Sequence, residues 1–82
     1  MQIEIKLGGG LKRYAAGPAG RGAIESDSPI TVAEAIARLG VEEDAEDVLA
    51  IVNDEVVPPS ERLQFTLKDR DQLTLIPQLK GG

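Results

Sequence analysis

Apolar and polar side chains alternate at the start of the chain. Ile3, Ile5 and Leu7 are apolar, and each is preceded by a polar residue. A period of two is typical of a strand with one buried face. Residues 8–22 are rich in glycine, and residues 23–26 predict a second strand. We therefore expect the two strands to form a hairpin with a long connection.

The best-defined element is a helix that begins after Thr31. Thr31 is a good N-cap, and Glu34, three residues later, completes a capping box. Gly40 is placed to end the helix in the left-handed conformation. The apolar positions between these two signals fall on one helical face: Val32, Ala35, Ile36 and Leu39.

The second half of the chain predicts three more strands. Residues 48–52 form an uninterrupted apolar run, which is typical of an interior strand. Asn53 and Asp54 predict a turn, because both tolerate left-handed backbone, and residues 55–57 then return as a short strand. Residues 72–76 predict the last strand, with its leucines on one face.

The segments around the last strand supply a turn and more core. Residues 68–71 predict a polar turn, and Thr74 and Ile76 are expected on the strand face opposite the leucines. Pro77 has no backbone N–H and is expected to end the pairing. Three apolar residues of the preceding loop are expected to fill the core: Leu63, Phe65 and Leu67.

Two polar segments carry weaker predictions. Residues 11–16 are expected to form one or two helical turns, with Tyr14 covering the core. The acidic segment 42–47 is interpreted as a solvated loop, because it lacks the glycine and the distal glutamate of a calcium loop.

The order of these elements predicts an α+β fold. A mixed four- to five-stranded sheet with one main helix packed across it accounts for the order, with the first and last strands side by side in the centre. Residues 1–77 are expected to form the domain, and residues 78–82 a flexible tail that leaves the sheet.

Composition excludes several kinds of chemistry. The 82 residues include no cysteine and no histidine. Thiolate metal sites, zinc sites and histidine-based nucleophilic triads are therefore excluded. The net charge of −5 argues against nucleic-acid binding and favours a basic partner surface. Because no apolar stretch approaches the roughly 20 residues that span a bilayer, we expect a cytoplasmic protein without a membrane partner.

The chain ends in Gly81 and Gly82. Two residues without side chains can enter a narrow channel in another protein, because backbone can then approach backbone closely. Most chain ends are poorly ordered and carry no function, so the context of this pair decides its meaning.

That context resembles the ubiquitin-like sulfur-carrier family of the MoaD/ThiS type. This family includes the molybdopterin synthase small subunit and the thiamine-pathway sulfur carrier. The helix start over 31–36, the hairpin over 52–57, the turn and last strand over 67–77, and the terminal glycine pair resemble the family pattern. Arg70 departs from it, since glycine is common at this position.

The resemblance implies a β-grasp fold and a carrier or subunit, not an enzyme. A ubiquitin-activating-type adenylyltransferase would use ATP to adenylate the Gly82 carboxylate, and the carrier would bind no cofactor itself. A persulfide enzyme or sulfide would then supply sulfur to form a thiocarboxylate. The acceptor would be the molybdopterin synthase large subunit or a thiazole synthase.

The resemblance also assigns a binding segment before Gly82. Gly81 would pass through the partner's channel, and a lead of five residues would contact the partner: Ile76, Pro77, Gln78, Leu79 and Lys80. Ile76 and one face of 48–52 would form an apolar docking surface, but packing in the core is the default interpretation of these strand residues.

Several alternatives stay open at this stage. The long connection 8–22 and Pro77 resemble the molybdopterin type, which we favour, whereas residues 57–61 resemble the thiamine type. A ubiquitin-like modifier joined to lysines through Gly82, or a β-grasp interaction domain, are the other functions. Three basic residues of the connection either contact a phosphate or an acidic partner, or are simply solvated: Lys12, Arg13 and Arg21.

Overall fold

The computed structural model describes residues 1–9, 11, 17–41 and 48–77. One helix, α1 (Val32–Leu39), packs on a five-stranded mixed sheet, as predicted. The strands are β1 (Gln2–Leu7), β2 (Arg21–Glu25), β3 (Val48–Val52), β4 (Glu55–Val57) and β5 (Gln72–Pro77). The predictions for residues 12–16 and 42–47 lie outside the described residues, as does the tail 78–82.

The first and last strands lie side by side, which confirms the predicted topology. The sheet order is β2-β1-β5-β3-β4, and only the central pair β1 and β5 is parallel among the described strands. Because β1 and β5 run in the same direction, both end at the same edge of the sheet. Residues 78–82 continue the chain from that edge.

The helix has the predicted caps. The Thr31 side chain accepts a hydrogen bond from the Glu34 N–H at 3.1 Å, and the Glu34 carboxylate accepts one from the Thr31 N–H at 3.1 Å. Gly40 ends the helix with a φ of +79° and donates its N–H to the Ala37 carbonyl. This reciprocal capping satisfies donors that the first helical turn leaves unpaired.

The core lies between α1 and one face of the sheet. Alternate strand residues point into it, since side chains along a strand alternate between the two faces. The buried strand residues are Ile3, Ile5, Leu7, Ile24, Val48, Ala50, Val52, Val57, Leu73 and Leu75. We call this helix-packed side the covered face and the other side the open face.

The loop before β5 fills the core only in part as predicted. Leu67 is fully buried and Phe65 packs against the core, but Leu63 is 78% exposed. The prediction for Leu63 is wrong because the chain turns there: the N–H groups of Gln64 and Phe65 both donate to the Glu61 carbonyl. Alternation between faces applies only to extended backbone.

This loop is also joined to the start of the helix. The Val32 N–H donates to the Phe65 carbonyl at 2.9 Å, and the Leu67 N–H donates to the Ile30 carbonyl at 2.7 Å. Arg62 is buried, and its guanidinium donates to the Val48 carbonyl at the start of β3. Burial lowers the pKa of Arg62, because removal from water disfavours the charged form.

A polar turn fixes the start of β5, as predicted. The Asp71 carboxylate accepts hydrogen bonds from the Lys68 N–H and the Asn53 side-chain amide, both at 2.8 Å. The Arg70 N–H donates to the Gln2 carbonyl at 2.7 Å. Arg70 adopts a φ of +71°, the left-handed region that favours glycine. The departure from the family pattern at this position therefore coincides with strained backbone.

Two strand limits differ from the predictions. β2 covers residues 21–25 and not 23–26, because Gly22, whose lack of a side chain hides the alternation, pairs with Ile5. β5 continues through Pro77, which pairs with Val48. The backbone nitrogen of Pro77, which carries no hydrogen, faces β1. The last pair between β1 and β5 joins Leu7 to Leu75, so β1 has already ended at the level of Pro77. The sheet therefore loses no hydrogen bond at Pro77.

Candidate docking face and root of the tail

The open face of the sheet has an apolar half and a polar half. A row of paired residues crosses all five strands on this face: Arg21, Lys6, Thr74, Ile51 and Val56. The row begins with two cations on β2 and β1 and ends with two aliphatic side chains on β3 and β4. α1 packs on the opposite side of the sheet, and Arg21, Lys6 and Val56 of this row are exposed.

The apolar half is continuous across β5, β3 and β4. Ile76 pairs with Leu49, and Ile51 pairs with Val56. Ile76 is 40% exposed and Val56 is 52% exposed, while Leu49 and Ile51 are half-buried. We call these four residues the apolar patch. Its exposed members distinguish it from the fully buried residues of the same strands, as expected for a docking surface.

The polar half lies on β1 and β2. Arg21 belongs to β2 and faces Lys6 across the strand pair, so its assignment to the connecting loop is wrong. Both side chains are exposed, and neither forms an ion pair or a side-chain hydrogen bond within the described part of the chain. Lys12 and Arg13 lie outside that part.

The apolar patch reaches the C-terminal end of β5, the last part of the chain that the structure describes before residues 78–82. Ile76 belongs to the patch, and the half-buried Pro77 ends β5. Gly9 lies against this point with a φ of +53°, and a Cβ added to it would come within 3.0 Å of Pro77 Cγ. The Gly8 N–H donates to the Leu75 carbonyl at 2.9 Å. Glycine at position 9 therefore permits both a left-handed turn and close packing at the root of the tail.

The predicted site residues are placed only in part. Ile76 and Pro77 lie at the edge of the sheet beside the apolar patch, whereas Gln78, Leu79, Lys80, Gly81 and Gly82 lie outside the described residues. The sequence pattern did not indicate that Lys6 and Arg21 form a pair. Such a prediction would have needed the register of the first hairpin, and therefore the correct start of β2.

An open cleft lies at the other end of the sheet. It has a volume of about 680 Å³, and its lining includes Met1, Glu25, Arg38 and Asp69. Arg38 donates to the Glu25 carbonyl at 3.3 Å, and the Met1 ammonium donates to the Ser26 carbonyl at 2.7 Å. These cations already bind backbone carbonyls of this chain, so the cleft offers no evident ligand site.

The described residues show neither a metal-binding cluster nor a membrane-spanning helix. No three acidic side chains among them come together in a way that would hold a metal ion. Within the same ranges, no helix has the length and apolar character needed to cross a bilayer.

Solved structures of similar shape share this architecture. SAMP1, the small archaeal modifier protein 1, from Haloferax volcanii is 21% identical with a TM-score of 0.71, each chain covered in full. A complex of subunits 1 and 2 of molybdopterin-converting factor from Helicobacter pylori contains a chain that is 23% identical with a TM-score of 0.65, again with full coverage. The thiamine biosynthesis protein ThiS from Geobacter metallireducens is 20% identical with a TM-score of 0.66, over 96% of this chain and 99% of that one.

These likenesses establish the ubiquitin-like β-grasp fold, as the sequence predicted. A comparison with curated protein sequences gives no match. The model of the ThiS family, however, matches residues 10–82, which is most of the chain. Proteins of this type are small carriers or subunits and not catalysts themselves. The chain therefore belongs to the ThiS family of sulfur-carrier proteins.

Proposed function

We propose that Gly82 carries the sulfur as a terminal thiocarboxylate, which the protein donates in cofactor biosynthesis. The observation that supports this most directly is the position of the apolar patch. Ile76 is both a patch residue and the last open-face residue before the tail. A protein that docks on the patch lies next to the root of the tail, and five extended residues reach at most about 17 Å from it.

The first step is activation by a partner. A ubiquitin-activating-type adenylyltransferase binds the patch, and the Gly82 carboxylate attacks the α-phosphorus of ATP. Pyrophosphate leaves, and the carboxylate becomes an acyl adenylate. ATP is thus a substrate of the partner and not a cofactor of this chain. Gly81 and Gly82 suit this step because a channel that excludes water can close around backbone without a Cβ.

The second step replaces AMP with sulfur. Sulfide attacks the acyl carbon and expels AMP, which leaves the thiocarboxylate directly. A persulfide enzyme instead forms an acyl disulfide, which a further thiol reduces to the thiocarboxylate. Because the chain has no cysteine, sulfur cannot be carried on a side chain as a persulfide or disulfide. The segment 76–80 guides the tail into the partner in both routes, with Leu79 as an apolar anchor and Lys80 and Gln78 beside it.

We favour the molybdopterin synthase large subunit as the acceptor over a thiazole synthase. The fold match to a subunit within the Helicobacter pylori complex supports a synthase partner. The long connection between β1 and β2 and Pro77 after the last open-face residue resemble that type. The same apolar patch would serve both the activating enzyme and the acceptor, so the two would bind in turn.

Intact mass spectrometry tests the proposal. The chain ending at Gly82 is incubated with the adenylyltransferase of the same genome, ATP and a sulfur donor. We expect a species heavier by one oxygen-to-sulfur exchange. A matched variant that lacks only Gly82 should keep its fold and stay unmodified. Absence of the heavier species from the full chain, with an enzyme active on its own carrier, would contradict the proposal.

A second candidate function is a ubiquitin-like modifier joined to lysines through Gly82. The similarity to SAMP1 favours it, since that protein is named a modifier. Both functions begin with the same adenylate and differ in what attacks it: sulfur in one case and a lysine amine in the other. Immunoblotting of cells that express a tagged chain separates them, because only the modifier yields ladders of conjugates that disappear when Gly82 is deleted.

A further inference from the structure

Two cations face each other on the open face of the sheet. Lys6 of β1 and Arg21 of β2 are direct partners in the antiparallel register. Like charges at directly opposed positions destabilise a strand pair. Neither side chain has an ion-pair partner within the described ranges that would offset the repulsion. This arrangement is unfavourable for the isolated protein and needs another explanation.

The pair also occupies a particular place on an acidic molecule. It lies in the same cross-strand row as Ile51 and Val56 of the apolar patch, separated from them only by Thr74. The polar half also contains two carboxylates, Glu4 and Glu25. They lie nearer the start of β1 than the cation pair does, and so farther from the end of the sheet where β5 stops. The chain as a whole has a net charge of −5. Lys6 and Arg21 therefore place positive charge beside the apolar patch, although the net charge of the chain is negative.

We propose that Lys6 and Arg21 bind carboxylate side chains at the edge of the adenylyltransferase surface that receives the apolar patch. This inference rests on the proposed function, but it holds for both the carrier and the modifier, because both require adenylation. The partner surface has an apolar centre and an acidic rim on one side.

The asymmetry gives the pair a definite role. An apolar patch alone favours burial but fixes orientation weakly, whereas charge complementarity at the rim fixes the register of docking and speeds association. The cations lie on only one side of the apolar patch, at β1 and β2, so they fix the orientation of the sheet on the enzyme surface. That orientation directs the edge holding Pro77, and so the tail, toward the adenylation site. Lys6 and Arg21 are thus positioning residues for activation.

The variant Arg21→Glu tests the inference because it changes stability and docking in opposite directions. It replaces a like-charge pair with an attractive one, so the melting temperature of the isolated protein should rise by roughly 1–5 °C. In ATP–pyrophosphate exchange with the purified adenylyltransferase of the same genome, the KM for the carrier should rise about tenfold with kcat nearly unchanged. Lys6→Gln should also raise the melting temperature and the KM for the carrier, each by a smaller amount than Arg21→Glu.

Lys68→Glu is the matched control. It makes the same change in net charge at an exposed position before β5, at the opposite end of the sheet from the tail. Its KM should stay within about twofold of the unsubstituted chain. Added salt should raise the KM of the unsubstituted chain more steeply than that of Arg21→Glu, because screening weakens exposed charge pairs.

The outcomes separate this inference from the proposed function. If the unsubstituted chain supports no exchange, the proposed function fails and the inference fails with it. If it supports exchange and Arg21→Glu keeps the same KM and salt dependence, only the inference is overturned. Sedimentation of the isolated protein tests whether a second copy of the chain binds the open face instead. Self-association that Arg21→Glu abolishes would show such a dimer and overturn the inference.

Discussion

The two faces of β5 differ although residues of one short strand alternate between them. Leu73 and Leu75 point to the covered face and are fully buried, whereas Thr74 is half-buried and Ile76 is 40% exposed on the open face. Leu75 and Ile76 are adjacent and of nearly equal volume, but they have different surroundings. Apolar character alone therefore does not show whether a strand residue stabilises the domain or contacts a partner.

The difference arises from what lies on each face. A single helix can cover one side of a five-stranded sheet, so every apolar residue on the other side needs a separate explanation. The covered face takes residues from all five strands. The open face concentrates its apolar residues on β3, β4 and β5, next to the tail, and its charges on β1 and β2. Such clustering is unnecessary for stability and suits docking.

The substitution Leu75→Thr should have the largest effect on stability. It leaves a cavity between α1 and the sheet and buries a hydroxyl, so we expect a loss of about 3–5 kcal/mol in the free energy of unfolding. Urea denaturation followed by circular dichroism measures it. A loss below about 1 kcal/mol would mean that the covered face does not stabilise the domain more than the open face does.

Local signals predicted much of this fold. Thr31, Glu34 and Gly40 form the predicted caps because capping depends on residues within one turn of the helix. Asn53 and Asp54 adopt positive φ values of 48° and 74°, as expected for their turn. The central pairing of β1 with β5 followed from the order of the elements, since few arrangements place one helix over such a sheet.

Other features depend on contacts that local patterns do not contain. The exposure of Leu63 follows from a turn held by the Glu61 carbonyl, and the inclusion of Pro77 in β5 follows from where β1 ends. The cation pair required knowing that Arg21 faces Lys6, and the register of a hairpin with a long connection is set by strand pairing rather than by turn type. The sequence indicated an apolar patch near Ile76 as one of two interpretations, but it did not indicate the cation pair beside that patch.

The substitution Thr31→Ala should have an intermediate effect on stability. It removes the side chain that accepts from the Glu34 N–H, so about 1 kcal/mol of unfolding free energy should be lost. Because α1 lies on the covered face, the KM for the carrier in adenylation should not change at a temperature where the variant is folded. A raised KM in folded protein would show that the helix contributes to docking, which would weaken the contrast between the faces.

The substitution Ile76→Thr should have the smallest effect on stability and a large one on docking. Threonine keeps the β-branched shape that strands favour, and Ile76 is already 40% exposed, so the expected loss is about 0.5 kcal/mol. The variant differs from Leu75→Thr by one position and introduces the same residue type, which makes the two a matched pair. In adenylation the KM for the carrier should rise about tenfold, because an apolar contact at the centre of an interface is lost. If Ile76→Thr instead lost stability as Leu75→Thr does and kept its KM, the open face would belong to the fold, and the docking surface would have to lie elsewhere.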